Sequence, residues 1–234
     1  MKVDRLLVPF AGLSFAGMAA AWYFAPGEVP LHWNAAGVVD SWGAKANLLW
    51  MGALPLAFAL FLHWLPGIDP KRDSWARHAK TYDLVKILLV TSLAAFGWVS
   101  AAVALGLPFD VSALVRVLVG LLFVGLGNVM GRLKRNYFVG IKTPWALADD
   151  EVWRLTHRRG GFVMVGLGLV FVFSLFIPSG EVLAAVLVAT GGGAFAYIVA
   201  YSYLAWRRLR GPAARAMPAA GDHPGPAGEK EMHP

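Results

Sequence analysis

Cysteine is absent from this 234-residue chain. Its absence excludes disulfide frameworks, Cys-ligated zinc, iron–sulfur clusters and thiol nucleophiles, and it removes the usual marker of redox compartment. Charge is sparse as well: 15% of residues are Asp, Glu, Lys or Arg, against about 25% in an ordinary soluble domain. A chain that is 58% hydrophobic, with a mean hydropathy of +0.57, has too little polar surface to cover itself in water. It is therefore read as a membrane protein. Other absences narrow the choice. No run alternates polar and apolar with period two, which argues against a β-barrel. No internal repeat supports an inverted-repeat transporter, and no HExxH or GxSxG frame marks a hydrolase. A formal charge of +7 could suggest nucleic acid, but its distribution points elsewhere, and no direct nucleic-acid binding is expected.

What is present is a set of six apolar runs, at about 6–25, 47–65, 84–107, 112–131, 161–177 and 181–205. Each is near the roughly 20 residues that a helix needs to cross the hydrocarbon layer. Pro9 and Pro55 fall inside the first two, where kinks are tolerated because neighbouring groups re-satisfy the freed carbonyl. A cleaved signal peptide is the other reading of the first run. Its length, Asp4 in the would-be basic segment and the spans that follow all favour a retained helix.

The basic residues set the orientation. The N-terminus, the 66–82 and 132–160 loops and the C-terminal tail, with Lys86 just inside span three, hold 19 of the 21 Lys and Arg. Only Lys45 and Arg116 fall on or near the other side. The positive-inside rule makes the crowded side cytoplasmic. The fold expected is thus all-α: a polytopic membrane helix bundle of about six transmembrane helices with both termini cytoplasmic. Trp22, Trp33, Trp42 and Trp50 mark the outer headgroup zone, and Trp64, Trp75, Trp145, Trp153 and Trp206 the inner one. Only Trp98 lies well inside a span. Gly127-x-x-x-Gly131, Gly120, Gly125, Gly166, Gly168 and Gly191–Gly193 offer smooth patches for helix packing. Asn128, within an apolar run, calls for an interhelical hydrogen bond. From Gly211 to the end the chain is rich in Pro, Gly and Ala and is expected to be disordered, with His223 and His233 solvated.

The outer loop, 26–46, contains Pro26, Gly27, Pro30 and Gly37, which exclude a continuous helix and predict a compact, turn-rich connection. His32, Trp33, Asn34, Asp40 and Lys45 are its candidate recognition residues. Asp40 is suited to a turn or helix cap. His32, Asn34 and Asp40, with Glu28 as a further acid, could converge on a ligand, but their spacing matches no known metal frame, so no metal is assigned. The alternative is a rigid headgroup-level loop in which His32 and Asn34 cap backbone.

On the inner side, Pro66-Gly67 is expected to end span two, and Asp73 or Ser74 to cap a brief interfacial helix carrying Trp75 and Arg77. The simplest role for this loop is contact with anionic headgroups. His63 and His78 are placed at the interface. The 127–161 stretch is the longest polar interval between two spans. Thr143-Pro144-Trp145 reads as a turn with an interfacial anchor. Asp149 or Asp150 reads as the N-cap of a short helix ended by Gly160-Gly161. On that helix Trp153 and His157 share a face, and Asp150 and Arg154 are spaced for an ion pair. Glu151 and His157, six apart, point in different directions, which argues against an acid–base pair. Asn128, Lys134, Asn136, Tyr137, Lys142, Trp145, Glu151, Trp153 and His157 are the residues expected to structure this face or dock a partner. No catalytic residue and no cofactor are expected.

Two resemblances rest on these loops. Pro30-x-His32-Trp33-Asn34-x-x-Gly37-x-x-Asp40, followed by Lys45, resembles an uncharacterised bacterial membrane domain that often precedes an SdpI-type module; the match covers about the first 60 residues. Gly127-Asn128, Lys134-x-Asn136-Tyr137-Phe138-x-Gly140-Ile141-Lys142-Thr143-Pro144-Trp145 and Glu151-Val152-Trp153-x-x-Thr156-His157-Arg158 resemble the signature of the SdpI-type immunity protein family. Family members commonly carry Arg where Lys142 stands and Thr where Ala146 stands. Lys keeps the charge but lacks the bidentate fork. The resemblance implies a bacterial inner-membrane protein that protects against a secreted, membrane-active peptide toxin. In the best-understood case it also holds a cytoplasmic winged-helix repressor at the membrane. The expected partners are therefore membrane lipids, a peptide toxin outside and such a repressor inside.

The organisation expected is a two-span domain over 1–83, a four-span SdpI-like module over 84–210 with its basic loop at 132–160, and a tail over 211–234. The function expected is non-enzymatic immunity and signalling. A small-solute or amphiphile transporter is the alternative. It would need midplane polar groups, of which the spans offer little beyond Asn128, Thr91, Ser92 and Ser100. A membrane-embedded metal hydrolase would need convergent ligands.

Overall fold

The computed structural model describes residues 3–34, 37–178 and 180–210. The tail assigned to disorder, with His223 and His233, lies outside the described residues. Seven α-helices and one hairpin follow in order: α1 Asp4–Phe24, β1 Glu28–Trp33, β2 Val39–Ala44, α2 Asn47–Ile68, α3 Ala79–Ala104, α4 Val111–Met130, α5 Pro144–Ala148, α6 Asp150–Phe173 and α7 Glu181–Arg210. All but the five-residue α5 are long and apolar enough to span a bilayer, which gives six candidate spans. The polytopic all-α expectation is borne out. The small two-stranded sheet is confined to one loop.

The bundle buries little of its apolar surface within itself. Between 11% and 33% of each span's most apolar window is buried, least for α7. Exposed side chains such as Leu13, Trp50 and Phe195 therefore meet lipid, which is as apolar as they are. With no hydrophobic drive between helices in lipid, close backbone approach must supply the contact. The α4–α6 crossing does this twice. A Cβ on Gly161 would stand 2.7 Å from the Gly127 carbonyl oxygen, and one on Gly168 2.6 Å from that of Gly120. Gly127 and Gly120 are thus cross-helix seats.

Several local expectations are corrected. The 26–46 connection is an antiparallel hairpin pairing Glu28 with Ala44 and Trp33 with Val39, its register shifted on either side of His32. Asp40 lies in β2 rather than at a turn or cap. Gly160-Gly161 do not end a short helix: α6 runs unbroken from Asp150 through the span, because both glycines sit buried against α4 and the 134–143 loop. Pro66-Gly67 lie inside the last turn of α2, which continues to Ile68. The interfacial helix is a 3-10 turn over Arg72–His78 without a side-chain cap. Thr143-Pro144-Trp145 opens α5, with Pro at its first position and the Thr143 hydroxyl accepting from Ala146 N. Trp75 and Trp153 are 5% and 2% exposed, so they pack inside the protein rather than at headgroups. Among the described residues, Asn128 makes no interhelical bond. Its Nδ2 donates 2.9 Å to Val124 O one turn back, because Gly127 holds the contact face and turns Asn128 away from it.

Candidate functional site

The two loop systems come to opposite ends of the bundle. At the hairpin end, the register places His32 and Asp40 across the strands, where His32 Nδ1 and Asp40 Oδ1 approach to 2.6 Å, both exposed. Asn34 serves the turn: its side-chain oxygen accepts Val38 N at 3.1 Å, and its carbonyl accepts Gly37 N at 2.9 Å. Gly37 has φ +78, a left-handed conformation suited to glycine, and a Cβ there would press on Ser112. Lys45 is held 5.2 Å over the Trp22 ring. The hairpin is fixed to the bundle by fully buried Val29 and by the Ser100 hydroxyl of α3, which donates to Pro30 O. Trp33 is half-buried at the rim of the cleft beneath. His32 and Asp40 therefore meet, while Asn34 and Lys45 serve other contacts.

The basic end is organised around Asn136, which is fully buried. Its amide donates to Lys134 O at 2.9 Å and Val139 O at 3.0 Å, and its oxygen accepts Phe138 N at 2.9 Å and Val139 N at 2.6 Å. Both donors and both acceptor positions of the side chain are filled, so it determines the loop's course. His157 fastens that loop to α6. Its Nε2 accepts Ile141 N at 2.9 Å, while Nδ1 donates to Trp153 O at 2.9 Å. These partners require the neutral Nδ1–H tautomer. The imidazole stacks on Trp153 at 3.8 Å between centroids, and Trp153 Nε1 donates 2.8 Å to Leu133 O. Gly140, at φ +119, passes so close to His157 Nε2 that no side chain fits.

The remaining candidates lie around this buried knot. Tyr137 is exposed, but its backbone N–H donates 3.1 Å to Asp69 Oδ2, joining the two basic loops. Lys142 is exposed and reaches its own loop's Phe138 O at 3.2 Å. Trp145 packs 5.1 Å from Tyr203 of α7. Glu151 is exposed and ion-pairs with Arg154 three residues on. The Asp150–Arg154 pair expected from spacing is not formed; Asp150 instead meets Arg135. Lys134 is exposed at a polar cleft of about 570 Å3 that Lys71, Arg77, Arg135 and Arg154 also line. Asp149 caps α6 through Glu151 N and Val152 N and binds Arg210 at 2.6 Å. The Arg210 guanidinium holds the Asp149 carboxyl below the usual carboxylate range against the opposing effect of burial, with the two capping amides helping.

Several contacts escaped sequence reasoning. Lys86, fully buried in α3, ion-pairs with Asp4 of α1 and with Asp83, and His63 stands 3.3 Å from Asp4. Asp69 also accepts Lys71 N at 2.7 Å. Thr143 and Ser202 share a buried hydroxyl hydrogen bond between α5 and α7. Arg116 is buried in α4 near the hairpin end. Charges inside apolar runs were the available signal for Lys86 and Arg116, but partners such as Asp4, 82 positions away, could not be read from spacing. Among the described residues, no three His, Asp or Glu side chains come together to hold a metal ion.

Six apolar helices with polar loop systems at the two ends define a multi-pass membrane protein in a lipid environment. Residues 132–202 match the SdpI/YfhL protein family, and residues 10–56 match a domain of unknown function, DUF1648. The chain is 20% identical over 211 residues to the Immunity protein SdpI of Bacillus subtilis (strain 168), covering 90% of this chain and 99% of that protein. No solved structure matches. The resemblance to the SdpI type is borne out.

Proposed function

We propose that this chain is a non-enzymatic immunity protein of the bacterial cytoplasmic membrane, with both termini inside, that protects against a secreted membrane-active peptide toxin. The observation that carries the reading is the end-to-end likeness to Immunity protein SdpI, which takes in 99% of that protein and both loop systems here. In this reading the hairpin is the outer recognition element. His32 and Asp40 present a hydrogen-bonded imidazole and carboxylate at its surface, and Trp33 lies beside them over an apolar cleft. A rigid hairpin with an exposed polar tip suits contact with a peptide arriving along the bilayer surface. Residues 1–83 would form the sensing domain and 84–210 the SdpI-like module. The inner face built by Asn136, Trp153 and His157 would present Lys134, Tyr137, Lys142 and Trp145 to a winged-helix repressor. Its excess of exposed cations favours an acidic patch on that partner.

Expression in a toxin-sensitive bacterial host tests the reading. The intact chain should raise the tolerated toxin concentration, and His32→Ala with Asp40→Ala should lower it at an unchanged membrane level. A well-expressed chain that gives no protection would refute it. For the inner face, a co-expressed repressor should move to the membrane fraction on toxin addition, and Lys134→Ala with Lys142→Ala should leave it soluble.

A further inference from the structure

Beneath the hairpin lies a cleft of about 530 Å3, walled by α2, α3, α4, α6 and α7, with apolar side chains such as Leu93, Phe96, Val115 and Leu187. One charged group enters it. Arg116 is 6% exposed and lines the cleft. Its side chain runs back toward the start of α4: Nε donates 3.1 Å to Ser112 O, and Nη1 donates 2.6 Å to Ser174 O and 3.3 Å to Ile177 O in the α6–α7 turn. Helical side chains lean toward the N-terminus, so an arginine one to two turns into the helix delivers its guanidinium to the level of the connecting loops. These bonds satisfy part of the donor fork, but carbonyls carry no net charge. Among the described residues, no carboxylate lies within ion-pair distance of Arg116, and its Nη2 has no hydrogen-bond acceptor. A buried cation without a counter-charge at the edge of a bilayer is costly, and such groups mark ligand sites.

We infer that the cleft binds one phospholipid from the leaflet facing the hairpin, its phosphate on the free edge of Arg116 and an acyl chain along the apolar wall. The size of the cleft falls in the range of small-ligand sites. The charge is complementary, and the guanidinium fork suits a phosphate oxygen. The membrane supplies this ligand at the depth where the guanidinium sits. Leu31, His32 and Trp33 of the hairpin also line this cleft, but the partner inferred here is a lipid rather than a peptide.

Native mass spectrometry of the full-length protein, delipidated in detergent and titrated with phosphatidylglycerol or with diacylglycerol of the same chains, tests the inference. The protein should retain one phosphatidylglycerol on the order of tenfold more tightly than the diacylglycerol. Arg116→Gln should abolish that preference. Ala184→Trp, which fills the cleft from α7 and leaves Arg116 in place, should abolish retention of both lipids. Equal retention of the two lipids by the parent protein would overturn the phosphate assignment. Undiminished phosphatidylglycerol binding in Ala184→Trp would overturn the cleft, and that variant decides the matter even if Arg116→Gln does not fold.

Discussion

Replacement of His157 separates the three things that this side chain does. In His157→Ala the Ile141 N–H loses its acceptor in a half-buried site, at a cost of about 1–3 kcal/mol. Loss of the 3.8 Å stack on Trp153 adds about 0.5–1.5 kcal/mol. The Trp153 carbonyl keeps its helical partner, so losing the Nδ1 donor adds little. The total is about 1.5–4.5 kcal/mol. His157→Phe keeps the ring against Trp153 and removes the acceptor together with the less costly Nδ1 donor, so it should cost about 1–3 kcal/mol. Hydrogen exchange in lipid nanodiscs reads the effect where it arises. The Ile141 and Val139 amides should exchange faster by on the order of tenfold in the Phe variant and more in the Ala variant, since 1.36 kcal/mol is tenfold. Amides of the hairpin strands β1 and β2, at the opposite end of the bundle, should be unchanged. Unaltered exchange at Ile141 in His157→Ala would refute the role of the imidazole as the fastening of the loop.

Three further perturbations test the frame. Gly161→Ala sets a methyl 2.7 Å from the Gly127 carbonyl and should destabilise by about 1–3 kcal/mol in a detergent-unfolding assay; Gly166→Ala, whose Cβ meets nothing within 4 Å, is the neutral control. Lys86→Met should destabilise, by at most about 3–5 kcal/mol, by removing the ammonium that Asp4 and Asp83 share while His63 stays beside Asp4. Asp4→Leu combined with Lys86→Met should regain most of that, and a double variant as unstable as the single one would count against the pair. Asp149 has a folded pKa below its unfolded value, so its stabilisation is complete above the ordinary carboxylate range and is lost as pH falls through the depressed value. Asp149→Asn should therefore be more readily proteolysed than the parent near the Arg210 end of α7 at neutral pH, and the two should converge when an acid protease is used at a pH below the carboxylate range.

The basic loop shows how far residue patterns carry. Trp153 and His157 share a face because four residues make about one helical turn, and the structure stacks them. The same spacing argument failed for Asp150 and Arg154. Arg135, in the loop after α4, captures Asp150 instead, and Glu151 takes Arg154. Gly160-Gly161 were misjudged for a related reason. Glycine ends a helix when its carbonyls face water, yet here the missing side chains admit α4 and Ile141, and the helix continues. The hairpin was overlooked because Pro30 and two register shifts break the alternation that marks a strand.

By itself the sequence determined the class, the number of spans and the crowding of positive charge into one set of loops. Each follows from the free energy of moving side chains between water and hydrocarbon, a sum over residues that needs no partner. Only the tertiary structure decided what pairs with what: His32 with Asp40, Lys86 with Asp4, His157 with Ile141, and Arg116 with the Ser174 and Ile177 carbonyls and, among the described residues, no carboxylate. Those depend on which helices touch and in which rotation. In lipid that is set by a few glycine seats and buried polar groups rather than by apolar content, which all six spans share.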